Sequence, residues 1–245
     1  MQIKKHIPNF ITSLNLVSGS LAIILLMHNN TAYASVLIFV AAVFDFFDGM
    51  AARLLHVKSE IGKQLDSLAD VVSFGLVPGM ILYKLTGFAI IGFAGPVWQI
   101  LPYVSLLVPV FSALRLAKFN IDTRQEESFL GLPTPANALL IAALDSPMGI
   151  SAHLQTYPFL AFMFHPVFLA SLAFVFSLLL VIEVPLFALK FKNFRFKGNE
   201  IRFILILTSV VLILFFSVAS LVIIIPIYIV LSLINNFMVK RSAQA

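Results

Sequence analysis

Residues 44–53, FDFFDGMAAR, and 62–70, GKQLDSLAD, place Asp45, Asp48, Asp66 and Asp70 at the ends of two otherwise apolar segments. A carboxylate near hydrocarbon is costly, so an acid kept there is a functional candidate. On a helix, residues three and four apart share a face. Asp45, Asp48, Gly49, Ala52 and Arg53 form one such stripe, and Gly62, Asp66, Asp70 and Ser73 form a second. The linker between them is short, which predicts antiparallel neighbouring helices whose acidic stripes face each other.

Composition sets the surroundings of these stripes. The chain of 245 residues is 60% hydrophobic and 11% charged, with a mean hydropathy of +1.03. Soluble domains carry about a quarter charged residues, so this chain belongs in a membrane. It has no cysteine, which excludes disulfides, thiolate metal sites and cysteine nucleophiles. The net charge of +5 follows a topology pattern, so nucleic acid is not expected as a partner.

Apolar runs predict an all-α fold, a polytopic membrane helical bundle of about eight transmembrane helices, at about 10–27, 32–55, 62–83, 98–118, 133–148, 162–184, 201–217 and 219–238. The last two read as a tight hairpin. The chain reads as one membrane domain, 1–245, with a catalytic core over about 5–140 plus 162–184 and a C-terminal hairpin over about 201–238. The start, MQIKKH before an apolar run, resembles a signal peptide. Asn15 and Ser18 within the run favour a retained first helix. With both termini inside, 15 of the 16 Lys and Arg residues fall on the cytoplasmic side and only Lys84 lies outside, as the positive-inside rule expects. The four aspartates then face the cytoplasm. The basic segment KFKNFRFKGNEIR reads first as a topology signal and secondly as a contact for anionic headgroups.

Four clustered carboxylates repel one another unless neutralised. All-oxygen ligands favour Mg²⁺, Mn²⁺ or Ca²⁺ over zinc, and Mg²⁺ pairs a few carboxylates with substrate phosphates. Two ions would clamp a pyrophosphate. Gly49 and Ala52 leave room for a bulky ligand, and Arg53 offers phosphate a planar fork. The competing reading pairs the acids with Arg53, Lys58 and Lys63 in a solvated network.

The pattern Asp45-x2-Asp48-Gly49-x2-Ala52-Arg53-x8-Gly62-x3-Asp66-x3-Asp70 resembles the signature of the CDP-alcohol phosphatidyltransferase family at every position. Segments at 7–15 (Ile7, Pro8, Asn9, Thr12, Asn15), 67–75, 115–120 and 129–135 resemble the integral-membrane phosphatidylserine synthases within it. The similarity covers roughly 5–140. One position departs: Lys118 stands where arginine is expected.

The resemblance implies transfer of a phosphatidyl group from CDP-diacylglycerol to L-serine with release of CMP. Mg²⁺ or Mn²⁺, as two ions, is the implied cofactor, with Ca²⁺ an alternative occupant. Asp45, Asp48, Asp66 and Asp70 are the implied metal ligands, and Asp70 the implied general base. Asn9, Thr12, Gly49, Ala52, Arg53, Gly62 and Ser73 are the implied nucleotide and pyrophosphate contacts. Arg115, Lys118 and Asn120 are the implied serine contacts. A homodimer in a bacterial or archaeal cell membrane, with a cytoplasmic active site, is the family expectation.

The residues alone leave other readings open. Asn9 suits a helix N-cap after Pro8. Thr12 and Asn15 suit interhelical hydrogen bonds, and Arg115 and Lys118 suit snorkelling to the interface. The acceptor could be glycerol 3-phosphate, inositol phosphate or choline. A metal-ion transporter would also use carboxylates, but nearer the midplane.

Overall fold

The computed structural model describes residues 2–57, 59–121, 129–187 and 199–244. Two long helices open the chain, α1 (Gln2–Met27) and α2 (Thr31–Leu54). Asn29 takes the left-handed conformation between them, and Asn30 caps α2 by accepting a hydrogen bond from the Tyr33 amide. Asn suits both positions because its short side chain tolerates φ > 0 and caps amides. The helix α1 continues through Pro8, so Asn9 lies in a helix interior and not at an N-cap.

A second tight turn sets the geometry of the acids. His56 is left-handed, and the Ser59 hydroxyl accepts from the Gly62 amide at 3.1 Å to start α3 (Glu60–Asp70). The chain reverses within a few residues, and α3 packs chiefly against α1, which also packs along α2, so that α2 and α3 meet through their acidic side chains and not through close backbone packing. It continues through a π-helical turn, Val71–Leu76, into α4 (Val77–Ala89). A π turn often marks a functional site; here it begins directly after Asp70. Ser73, fully buried in that turn, donates to the Asn15 carbonyl at 3.0 Å. Gly19 permits the approach, since a Cβ there would stand 2.5 Å from Ser73 Oγ.

Three further pieces form one helical run: α5 (Pro96–Ile100), a 3₁₀ turn over Leu101–Leu106, and α6 (Leu107–Ile121). Next come α7 (Thr134–Asp145), α8 (Ile150–His153) and α9 (Pro166–Val181). The 12 residues of α7 reach only about 18 Å, short of the hydrocarbon thickness. Buried residues occupy most of its circumference, as expected of a helix enclosed by others. The helix expected over 162–184 is broken: a 3₁₀ segment, Pro158–Phe164, meets α9 at 59°. Pro166 disfavours helical backbone at His165, which is extended.

Phe129–Leu130 and Pro185–Leu186 pair as a two-residue antiparallel ribbon, a minor addition to a helical fold. The chain closes with α10 (Glu200–Phe216) and α11 (Leu221–Gln244). Ser217 breaks the run at φ +49°. Arg202 and Tyr228 both touch Phe187, so the two helices fold back as a hairpin, as expected.

Among the described residues, five helical stretches are long and apolar enough to cross a membrane, His6–Met27, Thr31–Leu54, Glu60–Ala89, Pro96–Ile121 and Glu200–Met238, the last of them folded back at Ser217, and the bent pair ending in α9 makes six. The core joins Leu26, Ile38, Phe74, Ile81, Leu140 and Leu169. Outward faces carry large exposed hydrophobics such as Phe46, Ile61 and Leu207, a surface that suits lipid rather than water. The molecule is an all-α polytopic membrane bundle.

Candidate active site

The tight α2–α3 turn brings the acidic stripes together. Carboxylate oxygens of Asp45, Asp48 and Asp66 all lie within 4.8 Å of one another. Asp70, one turn deeper and 6% exposed, accepts a hydrogen bond at Oδ1 from Asn15 Nδ2 at 3.1 Å. The amide of Asn15 is thus an interhelical tie that orients the fourth carboxylate.

Among the described residues, none of these aspartates forms an ion pair. Arg53 Nε instead donates to the Gly49 carbonyl at 3.0 Å, and Lys63 Nζ donates to the Asn120 carbonyl at 2.9 Å. The paired-network reading therefore fails for Arg53 and Lys63; Lys58 lies outside the described residues. Two unit charges at this spacing repel by about 3 kcal/mol even at an effective dielectric near 20. A bound divalent cation removes that repulsion.

A cavity of about 310 Å³ opens beside the acids. Asn9, Thr12, Asp48, Gly49, Ala52, Gly62 and Asp66 line it, joined by Pro8, Val57, Ser59, Glu60 and Lys63. The two motif glycines differ in what they permit. A Cβ on Gly49 would meet nothing within 4 Å, whereas one on Gly62 would stand 2.7 Å from Asn9 Oδ1. Gly49 keeps cavity space open, and Gly62 lets α1 and α3 approach. Gly49→Ala is therefore expected to raise severalfold the apparent KM for the substrate that fills this cavity, without lowering Tm. Gly62→Ala should lower Tm, since overpacking costs about 1–3 kcal/mol. Thermal unfolding and substrate titration of both variants check this; equal behaviour would refute the distinction.

Other expected contacts are placed differently. Arg53 lines a neighbouring cavity with Ala52, His56 and Val57. Ser73 is absent from the cavity wall, because its hydroxyl is used in the α1 packing described above. The residues at the end of α6 diverge. Arg115 is buried and donates from Nη2 to the Gly131 carbonyl at 3.5 Å. Lys118 pairs with Glu183 at 3.6 Å. Asn120 turns the other way and donates to Ser67 Oγ at 2.8 Å, beside the acidic stripe. The following loop, with Arg124, Glu126 and Glu127, lies outside the described residues.

The family model for CDP-alcohol phosphatidyltransferases matches residues 5–234. This chain belongs to that family. It is 36% identical over 144 residues to a Bacillus subtilis protein named CDP-diacylglycerol–serine O-phosphatidyltransferase, covering 57% of this chain and 75% of the relative. Proteins of the same name from Helicobacter pylori (strain J99) and Methanocaldococcus jannaschii are 38% and 36% identical over 138 and 137 residues. Each match covers 55% of this chain, and 54% and 58% of those relatives, so the aligned part spans little more than half of their length.

The residues present fit the divalent metal that the CDP-alcohol phosphatidyltransferase family implies. Oxygens that share one Mg²⁺ or Ca²⁺ ion lie no more than about 4–5 Å apart, and the three carboxylates, within 4.8 Å of one another, satisfy that limit. Asp48 Oδ2 is buried and has no hydrogen-bond partner, an orphaned acceptor of the kind a cation satisfies. The sequence reading did not identify Pro8, Val57, Ser59, Glu60 and Lys63 as cavity residues. Pro8 belongs to the 7–15 segment that carries the family resemblance, and Ser59 has the local pattern of an N-cap residue ahead of α3.

Proposed function

We propose that this chain transfers the phosphatidyl group of CDP-diacylglycerol to the hydroxyl of L-serine. The single supporting observation is the carboxylate cluster opening onto a cavity of about 310 Å³, and the relatives' names supply the acceptor. Asp45, Asp48 and Asp66 would hold Mg²⁺ or Mn²⁺, as two ions, with Asp70 at the margin. When bound, such ions neutralise the diphosphate and stabilise the departing CMP.

The chain's own residues do the rest. Gly49 and Ala52 leave the space in which the diphosphate lies, with Asn9, Thr12 and Gly62 completing the wall and Arg53 at its edge. Asp70, oriented by Asn15, takes the proton of the serine hydroxyl. The serine oxygen forms a bond to the phosphorus bearing the diacylglycerol. The bond from that phosphorus to the oxygen of CMP breaks, and CMP leaves with the electron pair. Arg115 contributes positive charge for the serine carboxylate, Lys118 would do so by exchanging its Glu183 partner for that carboxylate, and Asn120 links that region to α3. The site faces the cytoplasm in this reading, as the basic-residue asymmetry supports, and the working unit is a homodimer. The transporter alternative loses ground because the acids sit together toward one end of α2 and α3.

Purified protein in liposomes with CDP-diacylglycerol and Mg²⁺ or Mn²⁺ tests this against a panel of alcohols. Serine should give phosphatidylserine and CMP in equal amounts. Glycerol 3-phosphate, inositol phosphate and choline should give at most a few per cent of that rate, because a site built for one set of polar groups rejects others strongly. Comparable turnover with another alcohol would overturn the acceptor. Metal-driven ion flux without nucleotide would overturn the reaction class.

A further inference from the structure

A groove of about 540 Å³ lies where α10 stands away from α7 and α11, which pack on each other, and it shares no lining residue with the acidic cavity. Ala136 of α7, Leu205, Ser209 and Ile213 of α10, and Ile225 and Tyr228 of α11 form its walls. The Tyr228 hydroxyl is turned to the Phe187 carbonyl at 3.0 Å, which leaves the lining almost wholly aliphatic. Leu205 is the one buried residue of α10. Ile204, Leu207, Val211, Leu214 and Phe215 are exposed. The helix therefore stands off from the bundle, and the groove is open to its surroundings.

An empty gap of this size forfeits dispersion contacts on both walls. In a bilayer the available filler is hydrocarbon, as apolar as the walls themselves. One end of the groove is different. The Phe187 ring lies 5.2 Å from the Tyr228 ring, and the Arg202 guanidinium lies 5.7 Å from the same Phe187 ring. Arg202, whose Nη1 also donates to Asn199 Oδ1 at 3.2 Å, thus lies about one helical turn beyond the wall residue Leu205, at the Tyr228 end of the groove. An aliphatic trough with a guanidinium at one end is complementary to an amphiphile with an anionic head, and a planar guanidinium suits phosphate oxygens.

We propose that this groove binds one acyl chain of an anionic glycerophospholipid, with the lipid phosphate at Arg202. The site is separate from the donor site and does not depend on the proposed reaction.

Native mass spectrometry of the full chain, offered phosphatidylglycerol or phosphatidylcholine in detergent, tests it. Wild type should retain phosphatidylglycerol in preference to phosphatidylcholine. Filling the groove with Ala136→Leu and Ser209→Phe should weaken retention by at least about tenfold, the equivalent of about two methylenes of lost burial. Should that pair fail to fold, Ser209→Leu alone should act in the same direction. Arg202→Gln should remove the preference for the anionic lipid while leaving chain binding. Asp48→Asn should retain phosphatidylglycerol as wild type does; loss there would place the lipid in the donor site and overturn the proposal. Unchanged retention in the filled groove, or a dimer that carries no lipid, would overturn it as well.

Discussion

Asp48→Asn is expected to reduce phosphatidyl transfer by at least about a thousandfold, because the charge stabilisation supplied by a bound cation is worth several kcal/mol of barrier. The same substitution is expected to raise the midpoint of thermal unfolding in EDTA. Both effects have one origin. Asp48 Oδ2 is buried without a partner, and its carboxylate shares a 4.8 Å space with those of Asp45 and Asp66. Among the described residues no Lys or Arg pairs with any of them. Without metal the cluster is held together against repulsion, so removing one charge relieves the fold. With metal that same charge is a ligand, so its removal should also shrink the stabilisation that Mg²⁺ or Mn²⁺ gives wild type, which mass action couples to binding. CMP release and thermal unfolding with and without metal measure both quantities. Activity within tenfold of wild type, or an undiminished metal shift, would contradict this account of the centre.

Asp70→Asn should behave differently. Turnover is expected to fall by about 10²–10⁴-fold, the usual range for losing a positioned general base, while the metal-dependent rise in Tm persists. The substitution is close to isosteric, and the new amide can still accept the hydrogen bond from Asn15 Nδ2 that Asp70 Oδ1 accepts now. Packing around the π turn should therefore survive, and the loss should fall on kcat rather than on donor KM. If the metal shift vanished along with turnover, Asp70 would be a ligand first. If turnover were unchanged, the base would lie elsewhere, with Asp66 the next candidate by position.

The contrast between the two variants rests on a difference of depth. Asp48 and Asp66 line the cavity. Asp70 sits one helical turn further in, tied to α1 and nearly out of contact with solvent. Spacing in the sequence puts Asp66 and Asp70 on the same stripe and cannot separate their surroundings. The tie to Asn15 does so, and it comes from a residue 55 positions away.

How much of the site could be read in advance varies by residue. Asp45, Asp48, Gly49, Ala52, Gly62 and Asp66 follow from helical periodicity, since a short link between two helices forces their facing stripes into register. Ser73 fits the same periodicity yet serves packing, because the π turn after Asp70 shifts the phase of the helix and Gly19 admits α1 against it. Asn9 carries two readings in sequence, a cap after Pro8 and an implied nucleotide contact; the longer α1 removes the first and puts Asn9 on the cavity wall. The implied serine contacts share one short stretch of α6 but diverge, as residues five apart must: Arg115 is drawn toward Gly131, Asn120 toward α3.

Composition and hydrophobic runs by themselves determined that this chain is a helical membrane protein, and the acidic motif determined where its chemistry is concentrated, because burial cost and helix period act on nearby residues alone. Tertiary packing decided the rest. It settled which carboxylate is held from α1, which glycine faces open space, that α7 is enclosed by the bundle, and that the C-terminal hairpin leaves a groove. Those outcomes depend on side chains far apart in sequence meeting in space, and local pattern carries no information about such meetings.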